Sequence, residues 1–414
     1  MPGIPTGAGP ITLNGAASGG GIFTGKSAVI SAPIQLRENG RDLVVVVEDN
    51  LDVNADILFP AFFTAKGVAP RNITLVSTNG TVTISAGVNI GGGLASASAR
   101  GNPAANGTNG GRIKIIGVNI DQQGKIVGNQ GGASGSSNLT GVALPAAVSA
   151  NGGIGGPIIL CALESINLAA GSQAIAGKGG LGGNTSAIGA ASSSATSGAG
   201  GDGGHVYFTG TGPGGAQMQI FAAANARSEG GKGGTGGVAM ADAKSSGNGS
   251  AGVALSQGGR GGNGGTVNFM QSIVIRMGVF KAGDGGNGAT ATAVGGNRAN
   301  SLFLAGGNGG NATAFGGNGR ASGTVPQIPT QAGIQPGQAG TEGSGGNANA
   351  TAGNGGNAGR FSITGGFSGN ATAAGGLNGR GVPPPGGAPA TAGPIGPAAG
   401  VAAPGPSVSQ NGAP

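Results

Sequence analysis

The sequence predicts an all-β chain: a parallel β-helix, or solenoid, carrying long glycine-rich arms of polyproline-II type. Three observations lead there. A short apolar strand recurs, at Asn72-Ile73-Thr74-Leu75, Arg112-Ile113-Lys114-Ile115, Pro157-Ile158-Ile159-Leu160, His205-Val206-Tyr207-Phe208, Thr266-Val267-Asn268-Phe269 and Arg360-Phe361-Ser362-Ile363. In the middle copies a second strand follows (Thr81 to Ser85, Ser165 to Leu168, Gln217 to Ile220, Ser272 to Ile275), then a third short piece such as Gly124 to Val127 or Gly278 to Lys281. Glycine tracts close each unit. A unit this short buries its apolar side chains only against the units above and below it, so the repeats must stack. Ile73, Ile113, Ile158, Val206, Val267 and Phe361 share one phase and are expected to form an inward ladder.

Residues 1–39 read as a lead-in that ends in the first strand of a hairpin. Ile34 and Leu36 alternate up to Asn39-Gly40, a pair suited to a tight turn, and Leu43, Val45 and Val47 alternate away from it. The run from Asn50 to Ile57 alternates strictly, which predicts one half-buried strand with Asn50, Asp52, Asn54 and Asp56 on its polar face. The runs Val44 to Val47 and Leu58 to Phe63 would be aggregation-prone if bare, so this region should cap the stack or meet another subunit.

Residues 40–282 are expected to hold the coils, interleaved with arms at about 91–111, 128–156, 177–204 and 230–265, with one long arm over 283–359. The arms leave and return through Gly-Gly-X triplets, as in Gly179-Gly180-Leu181-Gly182-Gly183 and Gly258 to Gly265. A three-residue glycine period suits a polyproline-II-type helix, which has three residues per turn and packs closely only where there is no Cβ. Such a helix has no internal hydrogen bonds, so neighbouring segments or water must satisfy its backbone. The arm middles, Ala187 to Ser197 and Ala289 to Val294, are small enough for close packing. A last coil strand is expected within 360–380, and 381–414 is a Pro/Ala/Gly-rich tail of polyproline-II character, expected to dock on a neighbouring subunit.

With 100 glycines and only 8% charged residues, an ordinary globular enzyme is not expected. The alternating Val and Ile runs argue against disorder. A net charge of +7 comes from single, scattered Lys and Arg, which predicts no nucleic-acid partner. Cys161 lies in the apolar run Ile158 to Leu163 and reads as a small core residue. Met1 to Pro10 carry neither the basic nor the apolar part of an export signal, and no stretch has the length of a transmembrane segment.

Several motifs invite chemistry. Gly20-Gly21-Ile22-Phe23-Thr24-Gly25-Lys26-Ser27 fits a phosphate-cradling loop, but that loop works through a following helix N-terminus, and Ala28 to Ala32 reads as strand. Asp49, Asp52 and Asp56 are the only metal candidates, with calcium as the ion their oxygens would suit. Counted from Asp52, an EF-hand loop would need Gly at Ile57 and Glu at Phe63, so a solvated strand face is favoured and no cofactor is expected. His205 and Tyr207 should face outward, opposite Val206 and Phe208. Outside residues 38–56 the acids are isolated, so no catalytic carboxylate pair is expected.

The strand repeat resembles the passenger regions of bacterial filamentous-haemagglutinin and autotransporter-type adhesins. The Gly-Gly-X arms resemble the glycine-rich sandwiches of phage tail-tip adhesins and, more distantly, mycobacterial glycine-rich surface proteins. The resemblance implies a surface location, extracellular or on a virion, and binding or structural work. The expected function is a non-enzymatic structural protein whose partners are copies of itself, forming a filament or coat. The alternative is an adhesin whose arm tips hold a receptor or cell-surface glycan.

Overall fold

The chain is all-β and parallel in a computed structural model that describes residues 9–37, 40–59, 71–92, 105–142, 146–189, 192–210, 218–243, 253–270, 272–275, 278–295, 311–322, 324–325, 338–351 and 371–376. Among them, strands assemble into sheets of 13, 7, 5 and 5 members. Every strand pairing is parallel. Parallel neighbours cannot be joined by a tight turn, so each partner is reached only after a long crossover.

The largest sheet carries the expected ladder. Gly21, Leu43, Ile73, Ile113, Ile158, Val206 and Val267 are successive register partners, and from Leu43 onward each side chain is fully buried. Phe361 lies outside the described residues. Strict alternation fixes this register, because a one-residue slip would turn every apolar side chain toward solvent. The second strands pair beside the first, and Ile113–Gln122 and Ile158–Leu168 each span both positions, with a register shift between Gly117 and Asn119.

The 7-stranded sheet is built from the third pieces and faces the same core. Its inward ladder runs Ile34, Ile57, Ile90, Ile126, Ala174, Ser228, Phe280. Where this ladder shrinks to Ala174 and Ser228, the large sheet grows along Ile115, Leu160 and Phe208. Phe208 then stacks on Phe269 at 5.2 Å, and both meet Phe280 edge-on, at 6.0 Å and 5.0 Å. Volume lost on one wall is replaced from the other, as a close-packed interior requires.

From the 7-stranded sheet the chain leaves through a glycine tract, forms one strand in each 5-stranded sheet, and returns through a second glycine tract. The segment 173–206 shows the path: Gln173–Ile175, glycines, Thr185–Gly189, Ser193–Thr196, glycines, then Val206. The two 5-stranded sheets face each other across a core made almost wholly of alanine, including Ala187, Ala195, Ala241, Ala293, Ala314 and Ala350. Cα atoms of the facing strands Ala239–Ala243 and Ala254–Gln257 approach within 8 Å. That is inside the roughly 10 Å of ordinary stacked sheets, and a single methyl per position permits it.

The structure corrects several expectations. No hairpin forms about Asn39-Gly40: Ile34–Gln35 belongs to the 7-stranded sheet, whereas Leu43–Val47 pairs in parallel with Gly21–Gly25 and Ile73–Ser77. Two full ladders outweigh a local turn signal. Gly40 serves close approach instead, since a Cβ there would lie 2.8 Å from the Gly19 carbonyl oxygen. Residues 9–37 are no loose lead-in but already hold paired strands, Ile11–Leu13 with Ala28–Ile30 among them. The alternating run 50–57 is two strands, Leu51–Val53 and Ile57–Leu58, because the chain turns at Asn54 from one sheet to the other.

The middles of the excursions, expected to be extended packing segments, are hydrogen-bonded strands. Ala371–Ala374, placed by sequence within a last coil strand, pairs with Ala312–Phe315 in an alanine sheet. Cys161 is not core: Ile158, Leu160 and Ala162 take the inward positions of its strand, leaving Cys161 half-buried on the outer face. Burial raises its thiol pKa, with Lys114 opposing. The Arg360 to Ile363 strand and the Pro-rich 381–414 lie outside the described residues.

Candidate functional site

The outgoing and returning glycine tracts form a lattice of backbone hydrogen bonds. One line runs Thr108, Gly132, Gly153, Gly180, Gly201, Gly234, Gly262, Gly286, each N–H donating to the previous carbonyl at 2.7–2.9 Å. It alternates between outgoing and returning tracts. A second set joins each tract to its equivalent one repeat on, as in Gly179 N–H to Lys232 O and Gly233 N–H to Asp284 O, both at 2.8 Å. The glycines are a steric necessity: a Cβ on Gly233 would lie 2.0 Å from the Gly262 carbonyl oxygen, and one on Gly261 would lie 1.9 Å from that of Gly286. The intervening Lys232 and Arg260 are exposed.

Asn and Asp side chains complete this lattice. The side-chain oxygen of one repeat accepts the backbone N–H of the next: Asp42 from Asn72 (2.9 Å), Asn72 from Arg112 (2.9 Å), Asn50 from Thr81 (3.0 Å), Asn184 from Val238 (2.9 Å) and Asp202 from Asn263 (2.6 Å). Asp284 does the same for Thr341 at 3.0 Å, with Lys232 Nζ 2.9 Å and Lys281 Nζ 3.6 Å from its carboxylate. Burial pushes this carboxyl upward, but the Thr341 N–H and the two lysines outweigh it and hold the pKa at about 2. Its contribution is therefore complete above the ordinary 3.8 and is lost as pH falls from there toward 2.

Of the sequence-derived metal candidates, Asp56 belongs to the same scheme. Asp56 Oδ1 accepts the Asn89 backbone N–H at 2.7 Å, Asp52 lies in register between Val29 and Thr83, and Asp49 is exposed. The structure does not bring the three together, and among the described residues no group of three or more His, Cys, Asp or Glu is gathered. The Asp56 carboxylate bonds to the neighbouring repeat.

His205 is a member of this ladder that sequence reasoning missed. It stands one residue before its strand, as Asp42 and Asn72 do, and its Nδ1 accepts the Thr266 backbone N–H at 3.0 Å, with Thr266 Oγ1 2.8 Å away. Nδ1 must be unprotonated to accept. Burial lowers the His205 pKa, with Asp202 opposing, which favours the neutral ring. Tyr207 packs 5.7 Å from it on the outer face. The loop-like motif at Gly20 to Ser27 holds strand Gly21–Gly25, and strand Ala28–Ile30 follows it where a phosphate loop would need a helix.

The remaining feature is an open end. Ile11–Leu13, Gly21–Gly25 and Ile34–Gln35 stand at one end of their sheets, each paired on one side only among the described residues. In Gly21–Gly25, Ile22 is 76% exposed, and Ile11, Leu13, Ile22 and Phe23, with the polar Thr12, Asn14 and Thr24, line a shallow depression between the edges. No helix of the described residues is long and apolar enough to cross a membrane. No family model, no curated protein and no solved structure matches the chain.

Proposed function

We propose that this chain is a β-solenoid with polyproline-II-type glycine arms, and that it works outside the cell or on a virion as a non-enzymatic structural protein that stacks end to end into a filament or coat. The open edge at Ile11–Leu13 and Gly21–Gly25, with Ile22 exposed on it, carries this reading. An unpaired parallel edge offers backbone donors and acceptors for the opposite end of a second copy. Such a head-to-tail contact does not close on itself, so it propagates. The glycine arms stiffen each subunit, because their bonds run within the chain. The adhesin reading places its site at arm tips, which lie largely outside the described residues.

The test is electron microscopy of the purified protein beside a Thr24→Pro variant. Thr24 stands in the edge strand, where proline removes an edge N–H and obstructs pairing. Filaments from the parent and single particles from the variant are expected; single particles from both would reject the proposal.

A further inference from the structure

A trough runs along one flank of the molecule, across successive repeats. One wall is the register row Thr196, Gln257, Phe315, Ala374 on the outer face of an alanine sheet. The other is the row Asn151, Ala199, Arg260, Asn318, one residue per returning glycine tract. Between them the floor is two residues wide and nearly bare: Ser197-Gly198, Gly258-Gly259 and Gly316-Gly317. The floor glycines are steric, since a Cβ on Gly259 would lie 1.9 Å from the Gly198 carbonyl oxygen. Close packing of the arms thus leaves a groove on their outer side.

The walls are chemically selective. Phe315 is 42% exposed, an apolar ring face held in a polar setting. Gln257, Arg260 and Asn318 stand exposed around it. No carboxylate lines the trough, and Arg260 joins none of the ion pairs found among the described residues. The floor has no backbone donors to offer: Gly258 N–H is bonded to Phe315 O, Gly259 to Gly237, Gly316 to Ala374 and Gly317 to Ala289, at 2.8–2.9 Å. An extended peptide read through its backbone therefore finds no donors on the floor.

We infer that this trough binds a linear acidic polysaccharide. The Phe315 ring takes the C–H face of a sugar. The amides and the Thr196 hydroxyl supply donors and acceptors for its hydroxyls. The Arg260 fork pairs with a carboxylate. Repeats about 4.8 Å apart offer successive contacts along a chain rather than one closed pocket. The trough lies on a flank and not at an open end, so it is independent of end-to-end stacking.

Calorimetry with linear uronic-acid oligosaccharides (oligogalacturonate and oligomannuronate) tests this, with a neutral galactan and oligo-glutamate as comparison ligands. Phe315→Ala and Arg260→Gln change exposed side chains, so both should fold, which circular dichroism checks. The expected result is binding of an acidic oligosaccharide that each variant weakens about tenfold or more, while Lys232→Gln on the outgoing tracts leaves it unchanged. Arg260→Gln should also flatten the salt dependence. Failure of both acidic oligosaccharides to bind, equal binding of galactan or oligo-glutamate, or indifference to both variants would overturn the assignment.

Discussion

At the scale of the residue, the recurring device is a side-chain acceptor that satisfies the backbone N–H of the next repeat. Asp and Asn do this at most positions, and His205 does it through Nδ1. The histidine version is sensitive to pH. Its folded pKa lies below 6.5, so its contribution is complete above that value and is lost as pH falls from 6.5 toward the lower folded value. Thermal unfolding midpoints should therefore drop between about pH 7 and about pH 5. A His205→Asn variant, which keeps an acceptor oxygen, should show a smaller drop over the same interval, and identical pH profiles would remove His205 from the ladder. None of this was legible in the sequence, where a lone His at a strand start reads as surface. What was missing is the row it belongs to, and rows exist only once the register is known. Cys161 was misread for a related reason: an unbroken apolar run hides which of its residues face inward.

At the scale of the element, two kinds of strand differ in how plainly they can be read. The Ile113 and Ile158 strands alternate large apolar and polar side chains, and that contrast sets both their existence and their register. The alanine strands alternate Ala with a mixed set of side chains, Met and Asp in Ala239–Ala243 and Asn and Thr in Ala348–Thr351. Their contrast is small and alanine is a poor strand former, so propensity gave no sign of them. Packing forms them, because each lies in register on its counterpart one repeat away. The hairpin signal at Asn39-Gly40 failed in the opposite sense, a strong local cue overridden by parallel partners on both sides of Leu43–Val47.

Two measurements address the elements directly. Phe208 fills the core where the opposite wall shrinks to Ser228, so Phe208→Ala should lower unfolding free energy by about 3–5 kcal/mol in denaturant titration. A loss under about 1 kcal/mol would mean that the two walls do not share volume as described. In the glycine lattice, Gly233→Val and Gly261→Val should abolish or severely reduce folding, whereas Arg260→Ala should change stability by no more than about 0.5 kcal/mol and Lys232→Ala, which loses its ion pair with Asp284, by no more than about 1 kcal/mol. Equal damage from both pairs would contradict the lattice.

At the scale of the whole molecule, repetition does the work that a single large core does elsewhere. Each repeat adds a rung to an aliphatic core and, from Ser137–Val142 onward, to an alanine core, joined by glycine tracts whose backbones are bonded to their neighbours. The stacking of repeats was readable from the recurring strand, five of whose six copies fall within the described residues and pair in register. The glycine period also announced close contact between the tracts. The division into four sheets was not readable, because it depends on where the chain turns between sheets, and those turns carry no common sequence. In three of the repeats the turn after the second strand uses a left-handed residue, Gly87 (φ 82°), Gly171 (φ 80°) or Asn225 (φ 64°). Glycine and asparagine are the residues that tolerate that conformation.

The proposed filament extends this stacking from one chain to many, and X-ray diffraction from aligned fibres of the purified protein tests it most directly. Repeats that continue across subunit boundaries place a strong reflection at about 4.8 Å on the meridian, along the fibre axis. That pattern, lost together with the fibres in the Thr24→Pro variant, is the expected result. Fibres with the 4.8 Å spacing on the equator, or a protein that stays monomeric at every concentration, would contradict end-to-end stacking.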